Sequence, residues 1–174
     1  MSGNLDPPLA PGDHVVGAPG APYELVMYGD FECPFCAAAQ SVLARVRSRL
    51  GDDLRFAFRH FPIPERHPHA QHAAEVAEAA AAQDAFWPMH DALFAARGHL
   101  ADRDLVVGAR GLGLDADRVA AELEAHAHAG RVAIDVASGR RSGVAGTPSF
   151  FVNGRLHEDA YDAGSLVAAL ASRD

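Results

Sequence analysis

The sequence predicts an α/β fold in which a β-α-β unit and a β-β-α unit enclose an inserted helical subdomain. Three observations carry this expectation. A β-prone run at residues 23–28 (YELVMY) leads into a helical segment opened by Cys33-Pro34-Phe35-Cys36, and an alternating run follows at 54–60 (LRFAFRH). A long alanine-rich stretch, from about residue 68 to 143, has the composition of consecutive helices. Strand character returns at 148–152 (PSFFV), where Asn153-Gly154 is a two-residue hairpin signal.

Taken in order, residues 1–22 are rich in Pro, Gly and Ala and show no period, so they read as an extended N-terminal arm with little regular structure. The domain proper begins at residue 23, and its first strand ends at Gly29. From Pro34 to about Leu50, Phe35, Ala38, Ala39, Val42, Leu43, Val46 and Leu50 recur at helical spacing, and Gly51 is the stop. Pro34 falls at the first helical position, where its missing N–H costs nothing. In the next strand Leu54, Phe56 and Phe58 alternate with Arg55, Ala57 and Arg59, which predicts one buried face. The helical insertion at about 68–143 is interrupted at Pro88, Gly98, Gly111 to Gly113 and Gly130, and Asp115 is placed to cap a helix carrying Val119, Leu123 and Ala127 on one side. A second strand at 155–158 and an amphipathic helix at about 162–171 close the chain.

The composition bounds the function. A chain of 174 residues, 49% hydrophobic and 22% charged, suits one globular domain. Its net charge of −8 argues against nucleic acid or an anionic membrane surface as a partner. All 15 basic residues are arginine, which excludes Schiff-base chemistry on a lysine of this chain. The first residues carry no cationic segment followed by an apolar run, and no stretch is long and apolar enough to span a bilayer; the expectation is a cytoplasmic protein, or an extracytoplasmic one whose leader was removed.

The two cysteines carry the chemistry. A bridge between Cys33 and Cys36 closes so short a loop that it removes little entropy from the unfolded chain, so stapling the fold explains the pair poorly. Disulfide exchange explains it well, because it needs an attacking thiolate and a second thiol near enough to expel the mixed disulfide. At a helix start, unpaired amide N–H groups favour a Cys33 thiolate, with Cys36 on the same side and deeper. Zinc is the rival reading, since His67, His69 and His72 lie close in sequence and could complete a Cys2His2 set. Without a second CxxC, no metal is expected, and the redox-active Cys33–Cys36 disulfide is the only redox group expected.

The phrases YGDFECPFC, FRHFP at 58–62, FWPMHDALF at 86–94 and SGVAGTPSFFVNG at 142–154 together resemble the DsbA-like thioredoxin-fold family of bacterial thiol–disulfide oxidoreductases, over about residues 14–172. The resemblance implies a thioredoxin fold with an inserted helical subdomain, Cys33 as attacking thiolate and Cys36 as resolving partner. It also implies a cis peptide bond before Pro148, opposite the CxxC, with the Thr147 backbone pairing to an extended substrate segment. Pro34, Phe35, Thr147 and Pro148 are thus the expected substrate-binding residues, with Phe35 at the exposed rim.

Two departures qualify it. Phe35 stands where the family's strongest oxidants carry a histidine, so a less depressed Cys33 pKa is expected, and ionised Asp30 and Glu32 would push the same way. Met27 stands where thioredoxin-like reductases keep a buried acid, which leaves Glu32 or Asp30 as candidate proton acceptors for Cys36, against the commoner fate of a solvated carboxylate. His60 and His90 read as packing or strand-end residues. Expected partners are protein or peptide thiols and disulfides and a separate redox protein. The alternatives are a non-catalytic redox sensor or metal-handling protein using the same cysteines, and a glutathione-dependent isomerase or transferase, which Cys36 argues against.

Overall fold

The computed structural model describes residues 3–172. Five strands form one sheet in the order β1-β3-β2-β4-β5: β1 (His14–Val16), β2 (Tyr23–Gly29), β3 (Leu54–His60), β4 (Ser149–Val152) and β5 (Arg155–His157). Only β2 and β3 are parallel, joined through α1 (Pro34–Leu50); every other neighbouring pair is antiparallel. Between β3 and β4 the chain builds α2 (Ala70–Ala81), α3 (Phe86–Ala95), α4 (Asp102–Gly111), α5 (Ala116–Glu124) and α6 (Ala129–Arg141), and α7 (Ala163–Ala171) ends it.

The strand period of two divides the core. Leu25 and Met27 of β2, Phe56 and Phe58 of β3 and Phe150 of β4 pack with α1, α3 and α7 on one face. Val26, Tyr28, Ala57 and Phe151 pack on the other with Phe61, Val144 and arm residue Leu5. Both faces of β3 are therefore buried, unlike the single buried face expected from its alternation, and Arg59 is only 2% exposed. The physical reason is the arm. It contributes β1, which pairs His14 with Phe58 and Val16 with Phe56. Further up, Leu5 N–H donates to the Gly154 carbonyl and Leu156 N–H to that of Gly3. A three-residue strand has no readable period, so its pairing was hidden.

Element ends follow local chemistry. Asn153 and Gly154 both take positive φ, as a tight two-residue hairpin requires. Asp115 caps α5 by accepting from Arg118 N–H, and Asp162 caps α7 by accepting from Gly164 and Ser165. The expected interruptions at Pro88 and Gly130 are corrected: both lie in the first turn of their helices, α3 and α6, where an N–H has no intrahelical partner to lose. The break before α3 instead falls at Asp84, with φ 58°.

Candidate functional site

Strand β2 runs directly into the cysteine motif, so Cys33 is the N-cap of α1 and Pro34 its first residue. Both cysteines are thiols. Pro34 and Phe35 project outward, with Phe35 64% exposed, whereas Cys36 is fully buried and Cys33 keeps only 4% exposure. Cys33 is covered by the turn before β4, whose Thr147 carbonyl lies 3.5 Å from Cys33 Sγ and accepts from the thiol. The Thr147–Pro148 bond is cis, and Ser149 Oγ–H donates to the Gly146 carbonyl to brace the turn.

The two sulfurs ionise very differently. The hydrogen bond from Cys36 is the main influence on Cys33 and, against the opposing effect of burial, lowers its pKa to about 5, helped by the Cys36 and Phe35 amides and the Thr147 hydroxyl. Cys36 is pushed far above the usual thiol range, first by burial and then by its hydrogen bond to Cys33. Spacing made both thiols visible in sequence, but only the fold's hydrogen bonds and burial make Cys33 the readier anion and hold Cys36 as a thiol.

Thr147 matters through a group the sequence reading did not single out. Its Oγ1 is buried and lacks a conventional hydrogen-bond partner, yet it faces the sulfur pair and favours ionisation of both. A hydroxyl held unpaired costs stability unless an anion needs it.

Asp30 and Glu32 are placed differently from either expectation. Asp30 is buried rather than solvated: its Oδ1 accepts from Glu32 N–H, and its Oδ2 accepts from Ile63 N–H and faces His67 Nδ1 at 2.8 Å. Glu32 Oε2 accepts from His69 N–H at the start of α2. Both carboxylates thus tie the CxxC loop to the segment after β3 and are committed away from Cys36. Asp30 acts on the sulfurs through its backbone, accepting from Cys33 N–H at 3.1 Å and favouring the Cys36 anion with its amide. Met27, fully buried, sits where an acid would stand in a reductase, and Gln40 Nε2–H donates to the Cys36 carbonyl beside it.

The histidines do not gather on the cysteines. His67 pairs with Asp30 and His72 with Asp102, and among the described residues neither cysteine belongs to a three-ligand cluster. His90 is buried among Phe31, Phe58, Phe94 and Trp87, and burial holds it below the usual histidine pKa. Phe31, Phe150 and Phe151 are core residues. A groove of about 950 Å³ lies between residues 19–24 and the β4–β5 hairpin and touches neither cysteine.

A family model described as Thioredoxin matches residues 9–172. Among solved structures, BdbD from Bacillus subtilis superposes with a TM-score of 0.85 at 21% identity, covering 99% of this chain and 98% of that one. A thioredoxin-like oxidoreductase from Silicibacter pomeroyi gives a TM-score of 0.82 at 27% identity, covering 92% and 91%. A protein of Salinispora arenicola named Na(+)/H(+) antiporter NhaA 1 is 48% identical over 162 residues, which are 92% of this chain and 24% of that protein. The chain spans about a quarter of the length of the curated relatives it matches.

Proposed function

The chain belongs to the thioredoxin family, and we propose that it is a DsbA-like thiol–disulfide oxidoreductase working in the oxidising direction, giving the Cys33–Cys36 disulfide to protein substrates. The observation that carries this reading is the split between the two sulfurs, with Cys33 held near pKa 5 and Cys36 held as a thiol. Stabilising the thiolate stabilises the reduced form, and a pair that is comfortable reduced is a strong oxidant.

In the forward reaction a substrate thiolate attacks Cys33 Sγ of the disulfide, forming a substrate–Cys33 bond and releasing Cys36 as an anion. The high proton affinity of buried Cys36 returns it to the thiol, which slows its return attack on the mixed disulfide. A second substrate thiolate then attacks the substrate sulfur and expels Cys33, whose low pKa makes it the better leaving group. The products are a substrate disulfide and the dithiol, and a separate redox protein takes the two electrons back. The cysteines carry the reaction with no other redox group.

Half-buried Thr147 and Pro148, facing the exposed Pro34 and Phe35, offer an extended substrate segment both backbone and an apolar rim. This direction favours an oxidising, extracytoplasmic location over the cytoplasmic one expected from the first residues. Ion transport is a property named for the longer relatives; in this chain no helix among the described residues is long and apolar enough to cross a membrane.

The deciding experiment equilibrates the pair in glutathione buffers. A potential near about −120 mV supports a disulfide donor, and one near about −270 mV replaces the proposal with a reductant. Independently, Cys36→Ala should accumulate covalent complexes with protein substrates through Cys33; a variant that traps none favours the sensor alternative.

A further inference from the structure

A second cluster of chemically capable side chains lies away from the cysteines, at the joint between arm, sheet and helical subdomain. His14 comes from β1, His60 from the end of β3 and Glu78 from α2. Both imidazole Nε2 atoms lie 2.7 Å from the same carboxylate oxygen, Glu78 Oε1. The three ligand atoms fall within 4.8 Å of one another, and among the described residues no other three His, Cys, Asp or Glu side chains do so.

We propose that His14, His60 and Glu78 bind a divalent transition cation of the zinc class, which clasps the N-terminal arm to the sheet and the helical subdomain. Two imidazole nitrogens and one carboxylate oxygen are the donor set that such cations favour over calcium or magnesium. Bonds of about 2.0 Å in a tetrahedron separate ligand atoms by about 3.3 Å, so the two short contacts need open by only about 0.6 Å. Three protein ligands leave a fourth position for water, and His14, 16% exposed at its side chain, marks the entry.

The surroundings are already ordered. The His14 ring stacks on Phe86 at 3.5 Å and 5°, and His60 N–H is held by Asp135 Oδ2. Arg131 carries a positive charge near Glu78, but Asp135 Oδ1 accepts its Nη1–H at 2.6 Å and offsets that charge.

A second observation bears on the same point. His60 Nδ1 is buried and without a hydrogen-bond partner, among the rings of Phe31, Phe58 and Phe86 at 5.9, 5.5 and 5.9 Å. If protons alone close the cluster, each Nε2 must carry one to face Glu78 Oε1, and a neutral His60 then leaves its Nδ1 lone pair among aromatic rings. A cation on Nε2 takes that nitrogen's lone pair and moves the proton to Nδ1, where an N–H among aromatic rings replaces a buried lone pair.

The experiment uses the oxidised protein, so that neither cysteine sulfur can ligate as a thiolate. Zn²⁺ is titrated calorimetrically, Co²⁺ is titrated by visible absorption, and hydrogen exchange at β1 is followed with and without Zn²⁺. One equivalent per chain is expected, with the intense bands of low-coordinate Co²⁺ and slower exchange at Val15 and Val16. His14→Ala and Glu78→Gln should each weaken binding by about tenfold or more, and His72→Ala, outside the cluster, should leave it unchanged. His14→Ala decides the matter alone should Glu78→Gln fail to fold. No stoichiometric binding, or binding indifferent to His14→Ala, would overturn the proposal and leave an imidazole–carboxylate clasp closed by protons.

Discussion

Where the arm crosses the sheet, Arg59 uses all five of its N–H groups: two reach Asp13, two reach the Pro7 and Pro8 carbonyls and one reaches Tyr28 Oη, which itself lies 2.7 Å from Ser138 Oγ. Beside the cysteines the opposite holds. The N-cap side chain of α1 makes no capping hydrogen bond with the helix's own amides, and Thr147 Oγ1 is buried without a conventional partner. Both regions bury polar groups, but one has spent its hydrogen bonds on the ground state and the other holds them for a charge that appears during exchange. Local stability is lower where capacity is kept in reserve, and that reserve adds to the Cys36 hydrogen bond in lowering the Cys33 pKa.

The largest test of this contrast is Asp13→Asn. It leaves the Arg59 charge buried and unpaired, so unfolding in urea should show a loss of about 3–5 kcal/mol with the midpoint shifted and the slope kept. A loss under about 1 kcal/mol would mean that the arm is held by its backbone pairing instead. Acid should act in the same direction. Burial alone would raise Asp13, but the hydrogen bonds from Arg59 prevail and hold it below its ordinary value of 3.8. Its contribution is therefore complete above pH 3.8 and lost as pH falls through the lower native pKa.

On the active side, Thr147→Val removes only the reserved hydroxyl. Cys33 should rise by about one pKa unit, or about 1.4 kcal/mol, and the potential should fall by about 30 mV, both read on the same sample by thiolate absorbance and glutathione equilibration. Stability should hold or improve, since a buried hydroxyl without a conventional partner is removed. A loss of stability with unchanged potential would show that Thr147 is structural.

In the parent protein, alkylation of Cys33 should reach half its plateau near pH 5 and stay flat above neutrality, because the thiolate is already formed there. The smallest expected effect on stability is that of Phe35→Ala, within about 0.5 kcal/mol. Its consequence should appear as a higher KM for protein substrates with kcat kept, since Phe35 is largely exposed at the rim where the proposed substrate segment would dock.

The order β-α-β, helices, β-β-α was legible because each part rests on neighbours in sequence: the alternation in β3, the Asn153-Gly154 turn and the caps Asp115 and Asp162. Cys33 and Cys36 were legible for the same reason, as were Pro34 at the first helical position and the outward-facing Phe35. What the linear order concealed was every pairing across long separations. Asp30 looked like a surface acid until the loop at 61–67 closed over it, and Glu32 until His69 took it up. The arm looked structureless until β3 supplied its hydrogen-bonding partner.

By itself, then, the sequence determined the local conformations and the chemical species available, a dithiol at a helix start on an acidic, lysine-free chain. Only the tertiary structure decided what those species do. Burial and proximity are properties of chain segments far apart in sequence, and they set the opposite ionisation of two identical sulfurs, the Thr147 hydroxyl beside them and the meeting of His14, His60 and Glu78.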